Sequence, residues 1–282
     1  MAVMSIAGLQ LTLPANQNNF EAIAKEVRNI KKRFQHVAMV VLPELATFGP
    51  APRFAETLPG ETESRYATLA AETGLWLVNG SLYERDQNRV FNTASVFSPQ
   101  GEVVARYRKI FPFLPYEEGI SAGTCPCVFD IPGLGRFGLS ICYDMWFPET
   151  IRALVWQGAE VILHPTLTNT LDRDVELAIA RAHAATNHCY MVDINAASSM
   201  GVGRSIVVGP GGEVVHQSSV EHEVIIFDVD FDYIRRVRER GWQGLGQPLK
   251  SFRDHKIDYP QYEKGARSQT LDALGALRKA EQ

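Results

Sequence analysis

Residues Gly138 to Glu149 read GLSICYDMWFPE, and the order of side chains in this stretch sets the architecture of the chain. Phe137 to Ile141 is apolar and rich in small or β-branched residues, as a buried strand requires. Pro148 and Glu149 suit the first turn of a helix, with proline leading and acid near the positive end of the dipole. Cys142 lies between them, at a strand tip just before a helix. Such an elbow lifts a nucleophile out of a sheet and aims backbone N–H groups at it. The plain alternative is that Cys142 is a small buried hydrophobe, as most free cysteines are.

Working outward, apolar runs and turn residues place strands at Val3–Leu13, Val37–Leu42, Leu75–Tyr83, Val161–His164, Tyr190–Asn195 and Val224–Asp230. Hairpins join Val90–Phe97 to Glu102–Arg108, Val128–Ile131 to Arg136–Ile141, and Ser205–Val208 to Glu213–His216. Helical periodicity marks Asn18–Phe34, Glu63–Thr73 (closed by Gly74), Phe147–Gln157, Asp172–Asn187, Asp232–Arg240 and Leu271–Lys279. Strands alternate with helices in two quarters and pair as hairpins in the others. That mixture predicts an α/β fold with two packed sheets and helices outside, a four-layer α-β-β-α sandwich. One domain over residues 1–282 is expected, with 241–282 a tail available for packing or oligomer contacts.

Composition narrows the function. Of 282 residues, 45% are hydrophobic and 21% charged, an ordinary globular balance. A net charge of −4 offers no basic excess for a nucleic-acid partner. The basic run Arg235, Arg236, Arg238 and Arg240 is interleaved with acids and reads as a solvated helix face or a subunit contact. The N-terminus lacks a signal-peptide pattern and no apolar run is long enough for a membrane span, so a cytoplasmic protein off the membrane is expected. Cys125, Cys127, Cys142 and Cys189 are too few and irregular for a disulfide scaffold. Cys125 and Cys127 are too close for a usual zinc pair, and His183 and His188 do not share a helical face, so no metal is expected.

Three reactive residues end apparent core strands: Glu44, Lys109 and Cys142. In open α/β sheets ligands gather at the carboxyl ends of strands, so the three can share one pocket. A thiol with pKa about 8.5 needs a base. Attack on a carbonyl also needs donors for the oxyanion. Glu44 and His164, which ends VILH, are comparable candidates for the base.

VVLPE ending at Glu44, YRKI around Lys109 and SICYDMWFPE around Cys142 resemble, in order and spacing, the three motifs of the nitrilase or carbon–nitrogen hydrolase superfamily. RSIVVGPGGEVV is similar to its later hairpin, and the likeness runs from Ser5 to Asp230. The resemblance implies the four-layer sandwich and a Glu–Lys–Cys set. Cys142 is then the nucleophile and Glu44 the general base, while Lys109 and the Tyr143 N–H steady the oxyanion. It decides the base in favour of Glu44 over His164. PYEEG resembles the segment carrying a second glutamate in aliphatic amidases, which points to Glu118, with Glu117 the alternative. Tyr143, Trp146, His164 and Thr166 are expected to contact substrate. No cofactor is implied, and a homodimer or larger homo-oligomer is. Tyr-Asp after Cys142 resembles amidase-type members, so the expected reaction is hydrolysis of a small amide to carboxylate and ammonia through a thioester. MWFPE resembles the N-carbamoyl amidohydrolases, which leaves a ureido compound as the alternative, with a nitrile behind it. An inactive oligomeric binding scaffold is the reading from another class.

Overall fold

The computed structural model describes residues 2–279. Chain order runs β1 (Val3–Gln10), α1 (Phe20–Arg33), β2 (Val37–Val41), α2 (Glu61–Thr73), β3 (Trp76–Val78), β4 (Leu82–Asp86), β5 (Arg89–Phe97) and β6 (Val103–Arg108). It continues through β7 (Cys127–Ile131), β8 (Gly135–Leu139), α3 (Pro148–Trp156), β9 (Val161–Thr166), α4 (Arg173–Asn187) and β10 (Tyr190–Asn195). The last elements are β11 (Ile206–Val208), β12 (Val214–Gln217), β13 (Glu223–Asp230), α5 (Phe231–Arg240), α6 (Pro248–Asp254) and α7 (Gln269–Asp272).

One sheet has the order β13-β1-β2-β3-β5-β4 with β6 also on β5, and the other runs β12-β11-β10-β9-β8-β7. In each, central neighbours are parallel: β1–β2–β3 in the first and β8–β9–β10 in the second. Strand side chains alternate faces, and the clusters follow that period of two. Val161 and Leu163 of β9 join Ile6, Met39 and Val41 between the sheets, while Ile162 turns outward to Ile151, Leu154 and Ala180. On the opposite side Val40 and Leu77 meet Ile23 and Val27 of α1 and Leu69 of α2. The α1 contacts come from a stripe, Phe20, Ile23, Val27 and Ile30, at helical spacing. Two sheets with helices on both outer faces make the expected four-layer sandwich.

The expected strand Leu75–Tyr83 is interrupted: β3 and β4 both pair antiparallel with β5, and a one-residue bulge at residues 79–81 separates them. Gly80 sits there at φ +74°, and a Cβ built on it would lie 1.8 Å from the Pro43 carbonyl oxygen. The break comes from a neighbouring segment, so local periodicity could not show it. Because Pro43 precedes Glu44, this close approach also fixes the exit of β2. Gly80→Ala is expected to cost about 2–4 kcal/mol, from overpacking plus a left-handed backbone, read by urea unfolding.

The C-terminus also departs from expectation. The helix expected at Leu271–Lys279 is a single turn, α7, capped by Ser268. Gly275 at φ +76° follows it, and Leu271, Leu274 and Leu277 are largely exposed, so no packing extends the turn. α6 was not anticipated; it is held by Phe252, which meets Trp156 edge-on at 6.1 Å. In α5 the basic run is only partly solvated: Arg238 is mostly buried and donates to the carbonyls of His188 and Ala159.

Candidate active site

Backbone contacts aim each of the three strand-end residues. Pro43 ends β2, the Glu44 N–H donates to the Thr166 carbonyl of the other sheet at 3.2 Å, and the next residue, Leu45, takes φ +51°. Lys109 follows β6 and continues its ladder, donating to the Asn92 carbonyl at 2.8 Å. The Ser140 N–H reaches the Leu163 carbonyl, Ile141 is fully buried, and Cys142 then turns to φ +46°. A non-glycine residue there is strained and persists only where its surroundings enforce it. Asp144 does so: its carboxylate accepts from Ile141 N–H at 2.9 Å, Phe111 N–H at 2.8 Å and Tyr107 Oη at 2.6 Å. A tight turn over Cys142–Trp146 separates this elbow from α3, so the helix does not follow the strand directly. The N–H groups of Cys142 and Tyr143 lead that turn, ahead of its first hydrogen bond, Asp144 N–H to Ile141 carbonyl.

These strand ends meet. Lys109 Nζ lies 2.9 Å from Glu44 Oε1 and 2.8 Å from Glu117 Oε2. Asn92 Nδ2 donates to Glu44 Oε1 at 2.7 Å and lies 3.3 Å from Glu117 Oε1. The Cys142 thiol lies 3.9 Å from Thr168 Oγ1, and the Glu44 carboxylate is close enough for its charge to act on the thiol. Glu44, Lys109 and Cys142 all line a cavity of about 590 Å³.

Burial sets the electrostatics. It pushes the Glu44 carboxyl above its ordinary range, and Lys109 only partly offsets this. Burial, followed by the charge of Glu44, pushes the Cys142 thiol well above its usual value. Burial works against the Lys109 ammonium, yet Glu44, Cys142 and Glu117 together hold it well above the ordinary lysine value. Glu117 is also opposed by burial, but Lys109 and the Phe113 N–H keep it below the usual carboxylate range.

The structure corrects the choice of second glutamate. Glu117 faces Lys109 and accepts from the Phe113 N–H at 2.6 Å. Glu118 points away, with its side chain 86% exposed near Lys279. Glu117→Gln is therefore expected to lower kcat/KM by about 100-fold, and Glu118→Gln by less than about twofold, in an ammonia-release assay.

None of the four expected substrate contacts lines the cavity. Tyr143 stacks edge-on against Phe113, which does line it. Trp146 Nε1 reaches Glu176 at 3.5 Å, and Glu176 accepts from Thr168 Oγ1 at 3.0 Å, so Trp146 stands three contacts from the thiol. Thr166 is fully buried and meets Glu44 only through its backbone carbonyl. Thr168, two residues on, takes its place beside Cys142. His164 is fully buried beneath the site; its Nδ1 pairs with Ser140 Oγ at 3.0 Å and burial lowers it to about 4. Asn92 and Thr168 were missed. A lone asparagine in the apolar strand VFNTASVF was the available signal for the first; the second had none beyond its spacing from Thr166. Among the described residues no three metal-ligating side chains gather, and all four cysteines are free.

A family model described as carbon–nitrogen hydrolase matches residues 5–239. The chain belongs to that family. This carbon–nitrogen hydrolase is 30% identical over 249 residues to an omega-amidase of Xenopus laevis, covering 82% of the chain and 89% of the relative. Its fold matches the crystal structure of yeast (Saccharomyces cerevisiae) Nit3, a member of branch 10 of the nitrilase superfamily. The TM-score is 0.78 at 26% identity, over 84% of this chain and 94% of that one. It also matches an amidase of Nesterenkonia sp. AN1, solved as a cysteine-to-alanine variant with butyramide, with TM-score 0.74 at 27% identity over 84% and 94% of the two chains. This carbon–nitrogen hydrolase shares the architecture of both solved relatives over most of its length.

Proposed function

We propose that the protein hydrolyses a small primary amide to a carboxylate and ammonia through a thioester on Cys142. The observation that carries this reading is the Lys109 ammonium held 2.9 Å from Glu44 and 2.8 Å from Glu117, with Cys142 lining the same cavity. The thiol sits well above its ordinary pKa, so it rests protonated and needs a base at the moment of attack. Glu44, itself raised by burial, is suited to take that proton and return it.

The sulfur adds to the amide carbon as Glu44 removes its proton. An ammonium carries three donors, and two point at Glu44 and Glu117, which leaves one for the developing oxyanion. The leading N–H groups of the Cys142 turn supply further donors. Collapse breaks the C–N bond, Glu44 protonates the leaving nitrogen, and ammonia departs. Glu44 then deprotonates water, which attacks the thioester; the C–S bond breaks and the thiol regains its proton. Two lower barriers replace one high one. Glu117 and Asn92 hold Lys109 and Glu44 in register without touching the reacting atoms. The Nesterenkonia relative supports the cysteine role, since one of its structures has the acetamide moiety of fluoroacetamide added covalently at the active-site cysteine.

The test is ammonia release from a panel of simple amides, ω-amides and N-carbamoyl amino acids, with hydroxylamine present to divert the thioester to a hydroxamate. Ammonia with hydroxamate supports the reading; turnover of ureido compounds alone moves it to the N-carbamoyl branch.

A further inference from the structure

Away from the reacting atoms, the cavity wall is nearly free of positive charge. Lys109 is the one cation lining it among the described residues, and its ammonium is already shared by Glu44 and Glu117. Asp172 lines the same cavity, half-buried at the N-cap of α4. No ion pair reaches it among the described residues: the adjacent Arg173 is engaged by Glu176 and Asp193, and Arg204 by Asp174. The positive end of the α4 dipole is already answered by Asp172, Asp174 and Glu176. The rest of the wall is apolar, as at Leu45, Pro50, Leu167 and Met200, or neutral, as at Asn169 and Ser199.

We infer that this site takes amides whose remote end is neutral or cationic, and discriminates against amides bearing a second carboxylate. The inference rests on the amide reaction proposed above and names its substrate class. A remote carboxylate entering this cavity would lose water with no cation to receive it. It would also stand near Asp172 as a like charge. For charges some 8 Å apart at an effective dielectric of about 20, the discrimination is about 30-fold.

The experiment compares three amides of matched length: pentanamide, 4-aminobutanamide and glutaramate. Wild-type kcat/KM is expected to be about 30-fold lower for glutaramate than for the other two. Asp172→Asn should narrow the glutaramate-to-pentanamide ratio by about 30-fold, and Asp172→Glu should restore it. Glutaramate turned over as well as pentanamide overturns the inference, and a ratio unmoved by Asp172→Asn overturns the role of Asp172. Calorimetric binding to Cys142→Ala reads the same order without turnover. Silence in the ammonia assay with that binding order intact removes the proposed reaction and leaves the selectivity. Equal binding of glutaramate and pentanamide, or binding of none, overturns the selectivity whatever the ammonia assay gives.

Discussion

Cys142→Ala is expected to lower ammonia release by roughly 10⁴-fold or more while leaving the fold intact, because it removes the atom that carries the proposed thioester. Cys125, Cys127 and Cys189 give the internal comparison. Cys189 is fully buried, and burial pushes it up to about 12; Cys125 is exposed and lies outside the cavity that holds Glu44 and Lys109. Alanine at Cys125 should therefore leave kcat within about twofold. The expected residue of activity in Cys142→Ala is small because the oxyanion donors and Glu44 remain but have no nucleophile except water. If ammonia release survives Cys142→Ala, the thioester route is wrong. If no amide yields ammonia from either form, the oligomeric scaffold becomes the better reading. Alkylation separates the two outcomes: a thiol beside Glu44 and Lys109 should lose its reactivity when Glu44 is changed, and Cys125 should not.

How much of this was legible before the structure follows from how local each signal was. A strand such as β9 announces itself in the apolar run at Val161–His164, which suits burial on both faces, so the layers could be placed. Glu44, Lys109 and Cys142 were legible as strand-end residues because each follows an apolar run with polar chemistry. Their convergence was not, since sequence separation carries no distance. Glu117 and Glu118 are adjacent in one turn, and the choice between them is made by the Phe113 N–H within that turn and by the Lys109 ammonium at the end of β6. Gly80 shows the same limit in the fold: a strand-like pattern was broken by the carbonyl of Pro43, a neighbour only in space. Thr166 and Thr168 illustrate it a third time. Both are polar residues past an apolar run, but only the second lies clear of β9, where its hydroxyl can bridge Cys142 and Glu176.

Glu44→Gln is expected to lower kcat/KM by about 10³-fold, at the upper part of the range for loss of a general acid–base group. Glutamine keeps the volume and can still accept from Lys109 and Asn92, so the change reports proton transfer more than packing. The pH profile supplies a second readout. Burial raises the Glu44 carboxyl, and only its ionised form can accept the thiol proton. Wild-type kcat/KM should therefore fall as pH drops through that raised value, and the acid limb should vanish from the residual activity of Glu44→Gln. His164 is the competing base, and its surroundings argue against it. It is fully buried, absent from the cavity wall, hydrogen-bonded to Ser140, and its Nε2 has no partner within the described residues. Lowered to about 4 by burial, it is a weak base near neutrality. His164→Ala should accordingly cost stability, about 1–3 kcal/mol from the void and the unpaired Ser140, while the acid limb stays where it was. Activity retained in Glu44→Gln and abolished in a folded His164→Ala would reverse the assignment of the base.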